Sequence, residues 1–154
     1  MKALILAVLS LACGVAVAER IGEVDYVFKW LGPDDKIVVE AYDDPRVAGV
    51  TCHLSRAKTG GISGALGVAE DKAEASIACR QVGPISFTKP LPLQEEVFSE
   101  RLSVLFKKLR IVRIVDRPRN TLVYLTYSDR LVDGSPKNSI TAVPVDRATP
   151  IPVK

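Results

Sequence analysis

Arg110-Ile111-Val112-Arg113-Ile114-Val115-Asp116, then Arg117-Pro118-Arg119-Asn120, then Thr121-Leu122-Val123-Tyr124-Leu125-Thr126-Tyr127-Ser128 reads as a β-hairpin. Five of the eight residues of its second arm are β-branched or aromatic, and the four residues between the arms include the turn formers Pro118 and Asn120. An isolated hairpin cannot bury its own faces, so the rest of the chain must supply further strands.

Upstream of the hairpin and running into its first arm, Val97 to Val112 carries two periodicities. Phe98, Leu102, Leu105, Leu109 and Val112 recur at helical spacing, while Leu102, Val104 and Phe106 alternate as a strand does. The adjoining hairpin favours strand. Phe87 to Glu95, with Pro90 and Pro92, reads as an irregular connection. Downstream, Asp133 to Asn138 is a loop, Ser139 to Val145 a short strand, and the proline-bearing tail is expected to fray.

Towards the N-terminus, Val24 to Lys29 predicts a first strand and Gly32-Pro33-Asp34-Asp35 a turn. Lys36 to Tyr42 is a second strand, ended by Asp43-Asp44-Pro45. A third strand from Gly49 to Ser55 places Val50, Cys52 and Leu54 on the core face and Thr51 and His53 on the other. The glycine-rich loop that follows contains Gly60, Gly61, Gly64 and Gly67, with a short helical turn at Ser63 to Ala69. Ala73 to Val82 suits helix or strand; a strand from Ala75 to Val82, ended by Gly83-Pro84, sets Cys79 across from Cys52. The fold class expected is mainly β: a single antiparallel β-rich domain, sandwich or barrel-like, with one or two short helices and one disulfide.

The chain opens with Lys2, an apolar run from Ala3 to Ala12 and the small-residue end Ala16-Val17-Ala18, the order of a secretory signal peptide. The run falls short of the roughly 20 residues that a permanent membrane span needs. Residues 1–18 are therefore read as a signal cleaved after Ala18, with 19–154 as one domain. Cys13 raises lipidation as a lesser alternative. Removing 18 of 154 residues leaves 136, enough for one hydrophobic core.

The whole chain carries a formal charge of +3, and losing Lys2 lowers it to +2. So small an excess argues against nucleic-acid binding, and no later segment is long and apolar enough to cross a membrane. Export to the periplasm would give a soluble protein in an oxidising compartment, where the two remaining cysteines form a disulfide. That bridge stabilises by about 2–4 kcal/mol, mainly through the unfolded chain.

Candidate chemistry is sparse. A hydrolase would have to use the sole histidine, His53, with Asp25, Asp43 or Asp129 to orient it and Ser55 or Ser63 as nucleophile, or a carboxylate pair such as Asp43 and Asp129. Ser55-Arg56-Ala57-Lys58 and Lys58-Thr59-Gly60 match two motifs of penicillin-recognising serine enzymes, but one lysine would have to serve both, so the match is coincidental. One histidine is too few for zinc, and Asp34-Asp35 and Asp43-Asp44 lack calcium-loop spacing, so no metal or cofactor is expected. The basic residues Lys107, Lys108, Arg110, Arg113, Arg117 and Arg119 read mainly as solubilising charge. The functional candidate is the glycine loop, where Arg56, Lys58, Thr59, Gly60 and Gly61 would bind a small anionic ligand or a partner protein.

Long strings of the mature chain resemble the CreA family of exported bacterial proteins. They include Lys36-Ile37-Val38-Val39-Glu40-Ala41, Val50-Thr51-Cys52, Ser55-Arg56-Ala57-Lys58-Thr59-Gly60-Gly61, Gln81-Val82-Gly83-Pro84 and Gly134-Ser135-Pro136-Lys137-Asn138. The resemblance implies a periplasmic protein linked to envelope or regulatory physiology, and it carries no catalytic residue over. The function expected is a non-enzymatic binding or interaction module, with the small envelope hydrolase as its alternative.

Overall fold

The computed structural model describes residues 18–27, 35–58, 75–102, 108–129 and 136–154. Among these residues eight strands form two antiparallel sheets in chain order. The first holds β1 (Glu19–Val27), β2 (Asp35–Asp43), β3 (Val47–Lys58) and β4 (Ala75–Phe87); the second holds β5 (Gln94–Arg101), β6 (Lys108–Asp116), β7 (Thr121–Ser128) and β8 (Asn138–Pro144). Their inner faces share one core, so the fold is a β-sandwich. Among the described residues the helical content is one 3₁₀ turn, Arg117–Arg119. The helical turn expected at 63–69 lies outside them, as do 28–29 of the expected first strand, 32–34 of the turn after it and 133–135 of the late loop.

The hairpin stands as its residue types require: β6 and β7 pair from Leu109↔Ser128 to Asp116↔Thr121. Pro118 lies inside the 3₁₀ turn, and Asn120 closes it at φ 50°, a left-handed conformation that asparagine tolerates. Of the strand expected over Val97 to Leu109, Val97 to Arg101 lies in β5 and Lys108 and Leu109 in β6, while 103–107 lie outside the described residues. The first strand begins earlier than expected, at Glu19, because the ladder with β2 continues back to Ala41.

Inward residues of the first sheet include Tyr42, Val50, Cys52, Leu54, Ile77 and Cys79; the second contributes Phe98, Leu109, Ile111, Val115, Leu122, Tyr124 and Val143. Cys52 and Cys79 are directly opposed across β3 and β4 and bonded to each other. The Cys79 N–H points away from β3 and donates to Thr141 Oγ1 of β8 at 3.2 Å; Ile77 N–H likewise reaches Ser139 Oγ at 3.4 Å. Side-chain hydroxyls thus stand in for a backbone partner and join the edges of the two sheets. The outward N–H also places the cysteines at a non-hydrogen-bonded pair, where facing side chains lie closest.

Two expectations are overturned. Gly83-Pro84 does not end β4, which runs on to Phe87. The register passes from Val50↔Gln81 to Ala48↔Ser86, so Val82 to Ile85 bulge against the single residue Gly49, and Pro84 sits where the ladder asks no N–H of it. Nor does the C-terminal tail fray. Leu91 N–H donates to Pro152 O at 2.8 Å and Lys154 N–H to Leu91 O at 3.1 Å. Asn120 Nδ2 donates to the carbonyls of Val145, Asp146 and Thr149, and its Oδ1 accepts from Ile151 N–H. These bonds fold Ile151 and Val153 against the core, repaying the ordering of the prolines around them.

Gly49 adopts φ +78°, and a Cβ there would lie 2.4 Å from Pro84 O and 2.7 Å from Gly83 O. Both obstacles are backbone. Gly49→Ala is therefore expected to destabilise by at least about 1–3 kcal/mol, measured as a lowered urea midpoint with unchanged m-value.

Candidate functional site

The expected binding residues lie at the far end of β3. Arg56 shares the inward phase of Cys52 and Leu54, so its guanidinium enters the sandwich at 6% exposure. Nε donates to Glu40 Oε2 at 2.8 Å, and Nη2 donates to Glu40 Oε1 at 3.0 Å and to Glu100 Oε2 at 2.7 Å. Lys58 Nζ lies 3.4 Å from Glu40 Oε1. Burial pushes the Glu40 carboxyl up, but the hydrogen bonds and charge of Arg56, with Lys58, outweigh it and hold the group below its ordinary value. Both cations are thus engaged by carboxylates. Thr59, Gly60 and Gly61 lie outside the described residues.

Around the same strand ends a pocket of about 550 Å³ lies between the first sheet and the start of β8. Its floor is the cross-strand pair Ser55 and Ser76 beside the pair Ile37 and Ala57. Lys137, Asn138 and Ser139, entering β8, form a wall, and Arg56 and Ala75 complete the lining. The structure therefore brings Lys137 to the Ser55–Lys58 segment, a meeting of two stretches about eighty residues apart in sequence. The lining sets the polar side chains of Ser55, Ser76, Lys137 and Asn138 beside the apolar Ile37, Ala57 and Ala75, a mixed surface in which the polar groups could hold a small polar or anionic group.

A second charge cluster ties the sheets at the other end of β2. Arg113 and Asp44 have side chains at 0% exposure, and Arg113 Nη1 donates to both Asp44 oxygens at 2.7 Å. Asp44 also accepts from the N–H groups of Arg46 and Val47 and from Tyr124 Oη. Arg113 Nη2 bonds Glu95, which pairs in turn with Arg46 at 2.7 Å. Burial and the Asp44 charge push the Tyr42 and Tyr124 hydroxyls above their ordinary range, so both remain protonated donors.

The other candidates are dispersed. His53 is exposed on the outer face between Ala41 and Ala78. Asp43, on that same outer face, accepts from Thr51 at 2.6 Å. Asp129 binds Arg110 on the outer face of the second sheet, so the proposed carboxylate pair is split across the sandwich. The basic cluster is likewise broken up: Arg113 is buried with Asp44, Arg110 is held by Glu96 and Asp129, and Arg119 pairs with Asp116. Among the described residues no group of three or more His, Cys, Asp or Glu is placed to hold a metal, and no helix is long and apolar enough to cross a membrane.

Residues 21–148 match the family described as CreA protein. Over 135 residues the chain is 58% identical to Protein CreA of Escherichia coli strain K12, covering 85% of this chain and 86% of that protein. The chain belongs to the CreA family. The same identity and coverage hold for Protein CreA of Escherichia coli O157:H7 and of O6:H1 strain CFT073. No solved structure matches. The CreA match spans every strand of the sandwich except the first two residues of β1, so the pocket and both charge clusters belong to the family region.

Because Glu40 binds fewer protons folded than unfolded, its stabilisation is complete above the ordinary carboxyl value of 4.5 and fades as pH falls through its lower folded value. A urea-unfolding series across acid pH is expected to show a steeper loss of stability for wild type than for Glu40→Gln, the two curves converging at the acid end.

Proposed function

We propose that this member of the CreA family is an exported, non-enzymatic binding module. Its site is the pocket between Ser55, Ser76 and Lys137, and it takes a small anionic ligand or the anionic group of a partner. The observation that carries the reading is the pocket's make-up: Lys137 and Asn138 line it together with Ser55 and Ser76, which pair across β3 and β4. The alternative, a hydrolase, has no comparable support, since His53 has alanines for cross-strand neighbours and Asp43 and Asp129 lie on opposite faces.

Export to the periplasm is supported by the charge, apolar run and small-residue end of residues 1–18. It is also supported by the start of β1 at Glu19, which makes the expected cleavage point coincide with the first strand. The protein recovered from the periplasmic fraction is expected to have an intact mass that begins at Glu19; a lipidated chain beginning at Cys13, or an uncleaved chain, would refute this route.

Inorganic phosphate serves as the probe of the pocket. At ten times its Kd a ligand stabilises by about 1.4 kcal/mol, a Tm rise of about 3–6 °C in a domain of this size. Wild type is expected to show that rise, and folded Lys137→Ala and Ser76→Phe variants are expected to lose it. An unchanged wild-type Tm, or an equal rise in both variants, would remove the pocket as the site.

A further inference from the structure

The residues that line the pocket are sorted by kind along its length. In the strand order β1-β2-β3-β4, Ile37 belongs to β2, Ser55 and Ala57 to β3, and Ala75 and Ser76 to β4. Beyond β4 comes the start of β8, held there by the Ile77 and Cys79 N–H groups on Ser139 and Thr141, and it brings Lys137 and Asn138. Polar side chains therefore gather at the β4–β8 end, and the largest apolar one stands at the β2 end. Neighbouring strands lie about 4.8 Å apart, so Ile37 is about 10 Å across the sheet from β4 and farther still from Lys137.

The apolar end continues past the rim of the pocket. Ile37, 41% exposed, pairs with Ala57 on one side and with Val24 of β1, 64% exposed, on the other. Val24, Ile37 and Ala57 form one row on the side of the sheet turned away from the core, next to the row that holds Ser55 and Ser76. Single exposed aliphatic side chains are ordinary on a protein surface. Three in register, leading into a pocket whose other end carries an ammonium, make a two-ended surface.

The charge of the lining has one sign. It contains no Asp or Glu; of its two cations Arg56 is neutralised by Glu40 and Glu100, and Lys137 is the exposed one. A small hydrated anion such as phosphate would use that end alone and gain nothing from Ile37 and Ala57. A wholly apolar molecule would leave the polar end desolvated and unmatched. A molecule with one anionic head and one linear apolar tail uses both ends, and about 550 Å³ is the scale of a small-molecule site.

We infer that the pocket takes a single-chain amphiphilic anion, an alkyl carboxylate, with its head at Lys137, Asn138 and Ser76 and its tail laid over Ala57 towards Ile37 and Val24. The inference rests on the reading of this pocket as an anion site and adds the tail.

Isothermal titration calorimetry of the purified protein with acetate, hexanoate, octanoate and octanol, each kept monomeric, tests it. A methylene covered on one side by protein strengthens binding about twofold, half the free energy of full burial, so octanoate is expected to bind about 60-fold more tightly than acetate. Octanol, which lacks the charge, is expected to bind at least about tenfold more weakly than octanoate. Ile37→Ser should flatten the chain-length series and leave the phosphate-induced Tm rise in place. Circular dichroism establishes that the variant is folded, and the wild-type series decides the matter without it. Equal affinity for acetate and octanoate, octanol binding as tightly as octanoate, or a folded Ile37→Ser variant with an unchanged series would overturn the inference. If phosphate still raises Tm in that event, the anion site stands and the tail alone is lost; no response to any anion removes both. Binding to phosphatidylglycerol vesicles without binding to octanoate would also overturn it, assigning the surface to a membrane.

Discussion

Two arginines pointing inward set the terms on which the sheets can meet. Arg56 and Arg113 each occupy a core-facing strand position, and a guanidinium there is tolerable only if carboxylates follow it inside. Glu40 and Asp44 come from the first sheet, Glu95 and Glu100 from the second, so each cluster spans the sandwich. Removing one partner from such a cluster costs about 3–5 kcal/mol, because it strands a buried charge. The clusters thereby fix the register of one sheet on the other more sharply than the aliphatic core between them, which would tolerate some sliding.

That pairing depends on one irregularity of β5. The ladder with β6 passes from Glu96↔Val112 to Phe98↔Ile111, so Val97 is a bulge. Without it, alternate positions from Glu95 would bring Ser99 and Arg101 inward. With it, Glu95, Phe98 and Glu100 all face the interior, and the Val97 carbonyl accepts the Tyr42 hydroxyl at 3.0 Å. One inserted residue thus aims a glutamate at each arginine and anchors a tyrosine from the opposite sheet.

The same geometry changes the meaning of the Ser55–Lys58 segment. As a string it offers two cations beside glycines, the composition of an anion-binding loop. In the fold Arg56 and Lys58 are engaged by Glu40, and Lys137, from a distant turn, lines the same pocket as Arg56. Part of this was legible: Glu40 keeps phase with Val38 and Tyr42, and Arg56 with Cys52 and Leu54, and charged residues in core phase on neighbouring strands imply a pair. Lys137 carried no local signal, because its approach to Ser55 depends on how β8 meets the edge of β4.

Local pattern determined the strand content of this chain, the hairpin at Arg110 to Ser128, the opposed cysteines and membership of its family, since alternation, turn chemistry and matching strings are properties of short segments. Tertiary structure alone decided the rest. It carried β4 past Gly83-Pro84 because Gly49 leaves room for the bulge, and it tied the tail down because Asn120 gathers its carbonyls. It also placed Asp129 on the outer face of the second sheet, across the sandwich from His53 and Asp43. Which residues meet across a sandwich depends on bulges and sheet edges, and a single residue of slip exchanges the inside of a strand for its outside.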